Sequence, residues 1–170
     1  MFISVLELFK IGIGPSSSHT MGPMVAARDF IDRARDCIKQ HGDVEGACIR
    51  CYLKGSLAFT GKGHGTDRAV LLGLHGYRPD GLAELNVDEL VGQLRETRGI
   101  ALDGNSAIKF SATEHIVFDQ GDSLPQHPNG MVFELVDQAG ESMLAETYFS
   151  IGGGFISTLA EIGELVAPLK

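Results

Sequence analysis

Apolar residues recur along the chain at two different spacings, and each spacing predicts a different kind of element. From Ala27 to Ile38 they return every three or four positions, as on one face of a helix, and Gly42 stands where the C-terminal cap belongs. Pro23 lacks an N–H and disfavours helical geometry in the residue before it, which puts the first turn between Thr20 and Pro23. The pattern therefore predicts a long helix preceded by a loop.

Strand patterns occupy three other stretches. Residues 47–53 alternate between apolar and polar positions, which is typical of a half-buried strand, and we place this strand at the rim of the sheet. Residues 108–118 predict one long strand, or two strands with a kink. Residues 131–136 and 143–151, joined by a turn at 137–140, predict a hairpin.

Glycine and capping residues indicate where two further helices begin. A glycine-dense loop is predicted at 61–67, ahead of a second helix at 69–75. Asn86, with Glu89 three residues later, resembles a capping box and predicts the start of a third helix that ends at Gly99.

Loop residues divide the rest of the chain. Two prolines and a glycine within 124–130 deny that stretch the hydrogen bonds of a sheet, so it is predicted to be a loop. The three glycines at 152–154 predict a sharp bend or a close backbone approach. The short apolar stretch at 3–13 predicts an element of its own.

Helical and strand patterns interleave without a regular strand-helix-strand alternation. We therefore expect an α+β fold, a two-layer sandwich with helices packed on a mixed or mostly antiparallel sheet. A chain of 170 residues with 44% hydrophobic residues is long enough for one sizeable core, so residues 1–170 are expected to form a single domain. A homodimer is also expected.

Charge and cysteine content exclude several classes of protein. The formal net charge of -8, with no basic block, argues against a nucleic-acid partner. No apolar run reaches the roughly 20 residues of a membrane-spanning helix, and no export signal is recognisable, so we expect a cytoplasmic protein with reduced thiols. Cys48 and Cys51 form a C-x-x-C pair, but on a strand they point to opposite faces and cannot hold one ion together.

Hydroxyl groups and free backbone N–H groups at the start of the long helix form a candidate anion site, because the helix dipole is positive there. The residues concerned are Ser16, Ser17, Ser18, His19 and Thr20. The alternative is that Ser18 or Thr20 simply caps the helix. Three consecutive serines and a histidine exceed what a cap requires, and the run fits a small carboxylate.

Two other histidines stand on predicted loops. His64 lies in the glycine-dense loop, with Gly65 and Thr66 following it at the entrance of the second helix, and this repetition of the first motif predicts one shared site. The alternative is that the glycines only shape a turn and that His64 is a surface residue. His127 lies between two prolines, just before Asn129; by itself this segment favours an ordinary exposed loop.

Four motifs, in order along most of the chain, resemble those of the bacterial iron-sulfur L-serine dehydratases, also called L-serine deaminases. They are IGPSSSHTMGP at 13–23, KGSLA with TGKGHGTD at 54–58 and 60–67, HPNGM at 127–131, and YFSIGGGF at 148–155. The resemblance covers the N-terminal β domain of that family. It implies that a cognate catalytic domain, fused or separate, is missing and would supply the cysteines that hold a four-iron four-sulfur cluster.

The resemblance also implies an activity and a set of site residues. L-serine would be dehydrated to aminoacrylate, which yields pyruvate and ammonia, with iron acting as a Lewis acid on the serine hydroxyl. His64 would be the base that takes the α-proton, with His127 as a second catalytic residue. The substrate-binding residues would be Ser16, Ser17, Ser18, His19, Thr20, Gly65, Thr66 and Asn129. No metal ligand is expected in this chain, which is expected to be inactive alone.

A second interpretation belongs to a different class. The fold is similar, by family analogy, to the allosteric substrate-binding domain of some D-3-phosphoglycerate dehydrogenases, which implies a regulatory module that binds a small amino acid or acid and performs no chemistry. A third interpretation, a purely structural interaction domain, would leave both histidine loops without a purpose.

Overall fold

The computed structural model describes residues 17–42, 45–102 and 106–166. Its helices are α1 (Met21–His41), α2 (Ser56–His64), α3 (Thr66–Leu74), α4 (Val87–Thr97), α5 (Ala112–His115) and α6 (Leu159–Val166), with a 3₁₀ turn at Pro79–Gly81. Its strands are β1 (Cys48–Leu53), β2 (Gly99–Ala101), β3 (Ala107–Lys109), β4 (Ile116–Phe118), β5 (Gly130–Val136), β6 (Ser142–Gly152) and β7 (Phe155–Thr158). The element predicted at 3–13 lies outside the described residues.

The described strands form one mixed sheet in the order β2-β3-β1-β5-β6-β7, and β4 also pairs with β1. β1 runs parallel to β3 and β4 and antiparallel to β5. The helices pack on this sheet, which confirms the predicted α+β fold.

The prediction that 47–53 forms a rim strand is wrong, because β1 has partners on both sides and lies in the middle of the sheet. Its alternating pattern has another cause: Ile49, Cys51 and Leu53 are buried towards the helices, whereas Arg50 is exposed on the other face. Alternation of apolar and polar residues indicates that one face of the sheet is covered, and it does not distinguish an edge strand from a central one.

Helix α1 begins and ends where the sequence predicts. Its buried face includes Phe30, which stacks on Phe133 of β5 with ring centroids 5.3 Å apart. Gly42 ends the helix with φ 78 and donates its N–H to the carbonyl of Ile38. Asp29, also on α1, accepts a hydrogen bond from the hydroxyl of Tyr148 of β6, which is fully buried. The core lies between α1, α3 and the sheet.

The predicted loop at 61–67 is largely helical, which corrects the sequence prediction. Residues up to His64 belong to α2, and only Gly65, with φ 75, breaks the helix before α3 begins at Thr66. Glycine has a low helix propensity, so a sequence with Gly61 and Gly63 does not predict helix α2. Gly61 packs against α3: a Cβ there would lie 3.1 Å from the Cβ of Thr66. Tertiary packing of α2 on α3 therefore overrides the local preference.

The other predicted elements are present, with small differences. The side chain of Asn86 accepts a hydrogen bond from the N–H of Glu89 and caps α4. The stretch at 108–118 contains two short strands, as the second alternative predicts, but the helical turn α5 separates them in place of a kink. The 124–130 loop and the β5–β6 hairpin are confirmed, and Gly152, Gly153 and Gly154 all have positive φ in the turn before β7.

In the described part of the chain, no helix combines the length and the hydrophobicity of a membrane span.

Candidate functional site

The start of α1 is a tight turn that buries its polar residues. The N–H of Gly22 donates to the carbonyl of Ser17, and the N–H of Met24 donates to that of Thr20. His19 is only 9% exposed and Thr20 is fully buried. Thr20 occupies the N-cap position, yet its side chain makes no capping hydrogen bond, so the plain capping alternative does not explain this residue. Ser16 lies outside the described residues.

His19 is surrounded by hydroxyl groups from its own loop and from α2. Its Nδ1 lies 2.9 Å from Ser18 Oγ, and its Nε2 lies 2.8 Å from Thr60 Oγ1 and 3.2 Å from Ser56 Oγ. Thr60 Oγ1 also donates to the carbonyl of Ser56 at 2.8 Å. A hydroxyl has one hydrogen to donate, so Thr60 must accept from His19, which puts the imidazole proton on Nε2.

Burial favours the neutral form of this imidazole. Loss of hydration is the largest effect and the nearby His64 ring the next; together they lower the pKa of His19, and a hydrogen bond to Ser56 opposes them only in part. The backbone is held as well, because Thr66 Oγ1 donates to the carbonyl of His19 at 2.5 Å from a fully buried position. His19 is therefore held in one orientation and one tautomer.

His64 stands beside His19 at the end of α2. The two ring centroids are 4.8 Å apart with an interplanar angle of 50°. His64 is half-buried, and within the described residues its ring nitrogens make no hydrogen bond. Gly65 directs the chain from α2 into α3 at this point with φ 75, a conformation that glycine adopts without strain. The two histidine motifs, far apart in sequence, thus lie side by side.

The 124–130 loop contacts the start of α2. Pro128 accepts a hydrogen bond from the N–H of Ser56, at the start of α2. His127 accepts one at Nδ1 from the N–H of Asn129, so the neutral ring carries its proton on Nε2. The ring lies edge-on to Phe149, whereas Ser150 points to the opposite face of β6. The ring of His127 therefore packs against the face of β6 opposite to Ser150.

Asn129 and the glycine turn join the motifs to one another. Asn129 exchanges backbone and side-chain hydrogen bonds with Ser150: it accepts from the N–H of Ser150 at 3.0 Å, and its Nδ2 donates to the carbonyl of Ser150 at 3.3 Å. The N–H of Gly153 donates to Ser17 Oγ at 3.2 Å. All four sequence motifs are thus connected around the first turn of α1.

Sequence reasoning did not single out Ser56, Thr60 and Ser150. Ser56 and Thr60 are four residues apart, which places both hydroxyls on one face of a helix. That signal becomes visible only once 56–64 is known to be helical. Ser150 sits in a strand pattern that gives no hint of its neighbours.

The described residues contain no group of three or more His, Cys, Asp or Glu side chains arranged to hold a metal ion. Cys51 is fully buried, and loss of hydration raises the pKa of its thiol well above the usual range. Cys48 is half-buried on the opposite face of β1. The donor set present therefore does not fit an iron-sulfur cluster.

Comparison with known proteins places the chain in a family. The family model described as serine dehydratase beta chain matches residues 4–161. The chain is 45% identical to an L-serine dehydratase of Streptomyces coelicolor, 39% to one of Haemophilus influenzae and 40% to L-serine dehydratase TdcG of Escherichia coli, over 92%, 95% and 91% of its length. It spans about a third of those relatives, 34%, 35% and 33%. The chain therefore belongs to the serine dehydratase beta chain family.

Proposed function

We propose that this chain is the β part of an iron-sulfur L-serine dehydratase, which contributes substrate-binding and base residues where it meets a catalytic part outside this chain. The relatives that carry the name L-serine dehydratase support the substrate and the reaction. The remaining two thirds of their length leave room for the catalytic part. In this proposal the enzyme is cytoplasmic and homodimeric, and its four-iron four-sulfur cluster is held entirely by the catalytic part.

The observation that carries the proposal is the contrast between two adjacent imidazoles. The ring of His19 is engaged at both nitrogens by the hydroxyls of Ser18, Ser56 and Thr60. The ring of His64 lies 4.8 Å from that of His19, measured between centroids, and makes no hydrogen bond within the described residues. A general base needs a free nitrogen and a geometry fixed by its neighbours. We therefore assign the base to His64 and a positioning role to His19.

The reaction needs a proton removed from Cα and a hydroxyl lost from Cβ. His64 takes the α-proton, the electron pair of that C–H bond forms the Cα–Cβ double bond, and the Cβ–O bond breaks. The protonated His64 gives its proton to the departing hydroxyl, which leaves as water and returns the imidazole to its neutral form. The aminoacrylate product then hydrolyses to pyruvate and ammonia. A neutral imidazole suits the first step near neutral pH, because its ordinary pKa lies close to that pH.

Substrate binding is assigned to the loop before α1 and to the two segments that flank it. Ser17 and Ser18 carry hydroxyls near a helix start that favours a carboxylate, and Ser16, which precedes them in the sequence, is assigned to the same role. His127 offers its Nε2–H as a donor from the bordering loop. Thr66 and Asn129 act through other residues, since their side chains donate to the backbone of His19 and Ser150. Gly65 places no side chain at the turn between His64 and Thr66.

The test is to assemble this chain with its cognate catalytic part under anaerobic conditions and to measure pyruvate formed from L-serine. We expect turnover from the assembly and none from this chain alone. His64→Gln should abolish turnover, whereas His41→Gln, at the far end of α1, is the matched control and should leave it unchanged. Near-normal turnover in folded His64→Gln, together with saturable serine binding to this chain, would instead support the regulatory interpretation.

A further inference from the structure

Two phenylalanine side chains are unusually exposed. Phe155 is 68% exposed at the start of β7 and Phe59 is 63% exposed on α2, the highest values among the large apolar residues of the described chain. Ile151 and Leu159, close to Phe155 in sequence, are 42% and 43% exposed. Exposed apolar side chains that lie close together, as Ile151, Phe155 and Leu159 do in sequence, are uncommon in a free-standing domain and mark interaction sites.

Both phenylalanines flank the candidate site. Phe59 directly precedes Thr60, whose hydroxyl contacts His19 Nε2. Phe155 follows the glycine turn whose Gly153 N–H binds Ser17 Oγ. Each phenylalanine is therefore within two residues of a group that contacts the loop before α1.

A groove continues this surface beside Phe155. It has a volume of about 410 Å³ and runs between the start of α1, the glycine turn and the 3₁₀ turn, with apolar contributions from Met21, Val25 and Tyr77. Arg28 and Arg78 line it together with Asp29, Asp32 and Asp80, and neither arginine has a carboxylate within salt-bridge distance among the described residues. Exposed aromatic side chains, arginine and an apolar floor together are typical of the centre of a protein interface.

We propose that Phe59, Ile151, Phe155, Leu159 and this groove form the docking surface for the catalytic part of the enzyme. The inference rests on the proposed function, in which the site is completed by another part of the protein. The relatives are L-serine dehydratases of which this chain spans about a third, so a large partner of the required kind exists in the family. A second copy of this chain on the same surface would keep the catalytic part away from it.

Side-chain footprinting with hydroxyl radicals tests the docking surface in the complete enzyme. Labelling of Phe59 and Phe155 is compared between this chain alone and the anaerobic assembly with its catalytic part. Val117, 39% exposed on β4, is the matched reference, because it points away from the neighbouring Phe118 that contacts α2. We expect labelling of both phenylalanines to fall severalfold in the assembly and that of Val117 to stay unchanged.

Substitutions supply the second measurement. Phe59→Ser and Phe155→Ser should each weaken assembly by about 10-fold or more, as truncation of a buried aromatic anchor does at an interface, and Val117→Ser should not. Unchanged labelling of Phe59 and Phe155 in an assembly that turns over L-serine would overturn the docking surface and leave the function intact. Protection of both without any turnover would support the docking surface and overturn the function.

Two further outcomes would also overturn the docking proposal. One is protection of Val117 alone, which would put the contact on the other face of the sheet. The other is protection of Phe59 and Phe155 in this chain by itself, lost on dilution and accompanied by a monomer–dimer transition in sedimentation. That result would show that a second copy occupies the surface.

Discussion

The hydroxyl of Ser150 lies directly over Gly22, in the first turn of α1. A Cβ built on Gly22 would stand 2.0 Å from Ser150 Oγ and 2.8 Å from Ser150 Cβ. Ser150 is fully buried, and its Oγ has no hydrogen-bond partner in the described structure. This contact joins the first motif to the fourth, and because Ser150 also binds Asn129 it joins the third to both.

Gly22→Ala should therefore destabilise the chain. The new methyl group cannot be accommodated without moving α1 or β6, and overpacking of this kind costs about 1–3 kcal/mol. Urea unfolding measures the loss. Removing the obstructing side chain with Ser150→Gly in the same chain should recover part of it, so a double-mutant cycle should show coupling between the two positions. Strictly additive free energies of unfolding would contradict the contact.

Ser150→Ala should leave stability unchanged or raise it. A buried hydroxyl without a partner costs free energy, of the order of 1–3 kcal/mol in protein mutational data, and alanine removes the hydroxyl while keeping the Cβ. The midpoint of urea unfolding should therefore stay the same or increase. A clear decrease would mean that the hydroxyl has a stabilising partner, such as an ordered water.

Thr60 is expected to position His19, because its hydroxyl accepts the hydrogen bond that the Nε2–H of His19 donates. Thr60→Val keeps the shape of the side chain and loses the acceptor, and we expect about a 10-fold lower kcat in the assembled enzyme from one lost hydrogen bond. Thr60→Ser restores the hydroxyl and should restore most of the rate. An unfolding curve of each variant distinguishes a loss of positioning from a loss of stability. Normal turnover in the Thr60→Val enzyme would contradict the positioning role.

The lowered pKa of His19 makes stability depend on pH. Above its ordinary value of 6.5 the ring is neutral in both the folded and the unfolded chain. As the pH falls below that value the unfolded chain takes up a proton that the folded chain resists, so the free energy of unfolding decreases until the folded pKa is passed. His75 and His115 shift in the same direction, mainly through burial.

The contribution of His19 is isolated by difference. The loss of stability between neutral and mildly acidic pH should be smaller in His19→Gln than in the parent chain, measured by urea unfolding at a series of pH values. An equal loss in both chains would show that His19 does not resist protonation in the folded state.

Tyr148 should contribute to stability through Asp29. Burial, followed by the hydrogen bond to Asp29, raises the pKa of Tyr148 well above its usual range, so the phenol stays protonated and donates. Tyr148→Phe removes a hydrogen bond to a charged group and should cost about 1.5–3 kcal/mol. Asp29→Asn keeps an acceptor and should cost less. Equal unfolding midpoints for Tyr148→Phe and the parent would contradict the prediction.

Local signals account for the parts of the fold that were predicted correctly. The apolar face of α1, its start near Pro23 and its end at Gly42 depend on spacing and on residues whose backbone preferences are strong. Asn86 caps α4 because its side chain reaches an N–H three residues away. Such interactions span a few residues and can be predicted from the local sequence without knowledge of the rest of the chain.

The errors arise where packing between distant elements decides the outcome. Helix α2 contains Gly61 and Gly63, which oppose helix formation locally, and it forms because Gly61 allows a close approach to Thr66 of α3. The central place of β1 follows from β3 and β4, which come after it by more than 50 residues and pair along one edge in parallel. Neither relation leaves a periodic trace in the sequence.

By itself the sequence determined the mixed helical and strand composition, the order of the motifs and the histidines to consider, because these depend on residue type and short-range spacing. Only the tertiary structure decided that His19 is enclosed by Ser56 and Thr60 while His64 beside it is not. It also decided that Ser150 rests on Gly22. The physical reason is that burial and hydrogen bonding between residues far apart in the chain are set by how α1, α2 and β6 pack together.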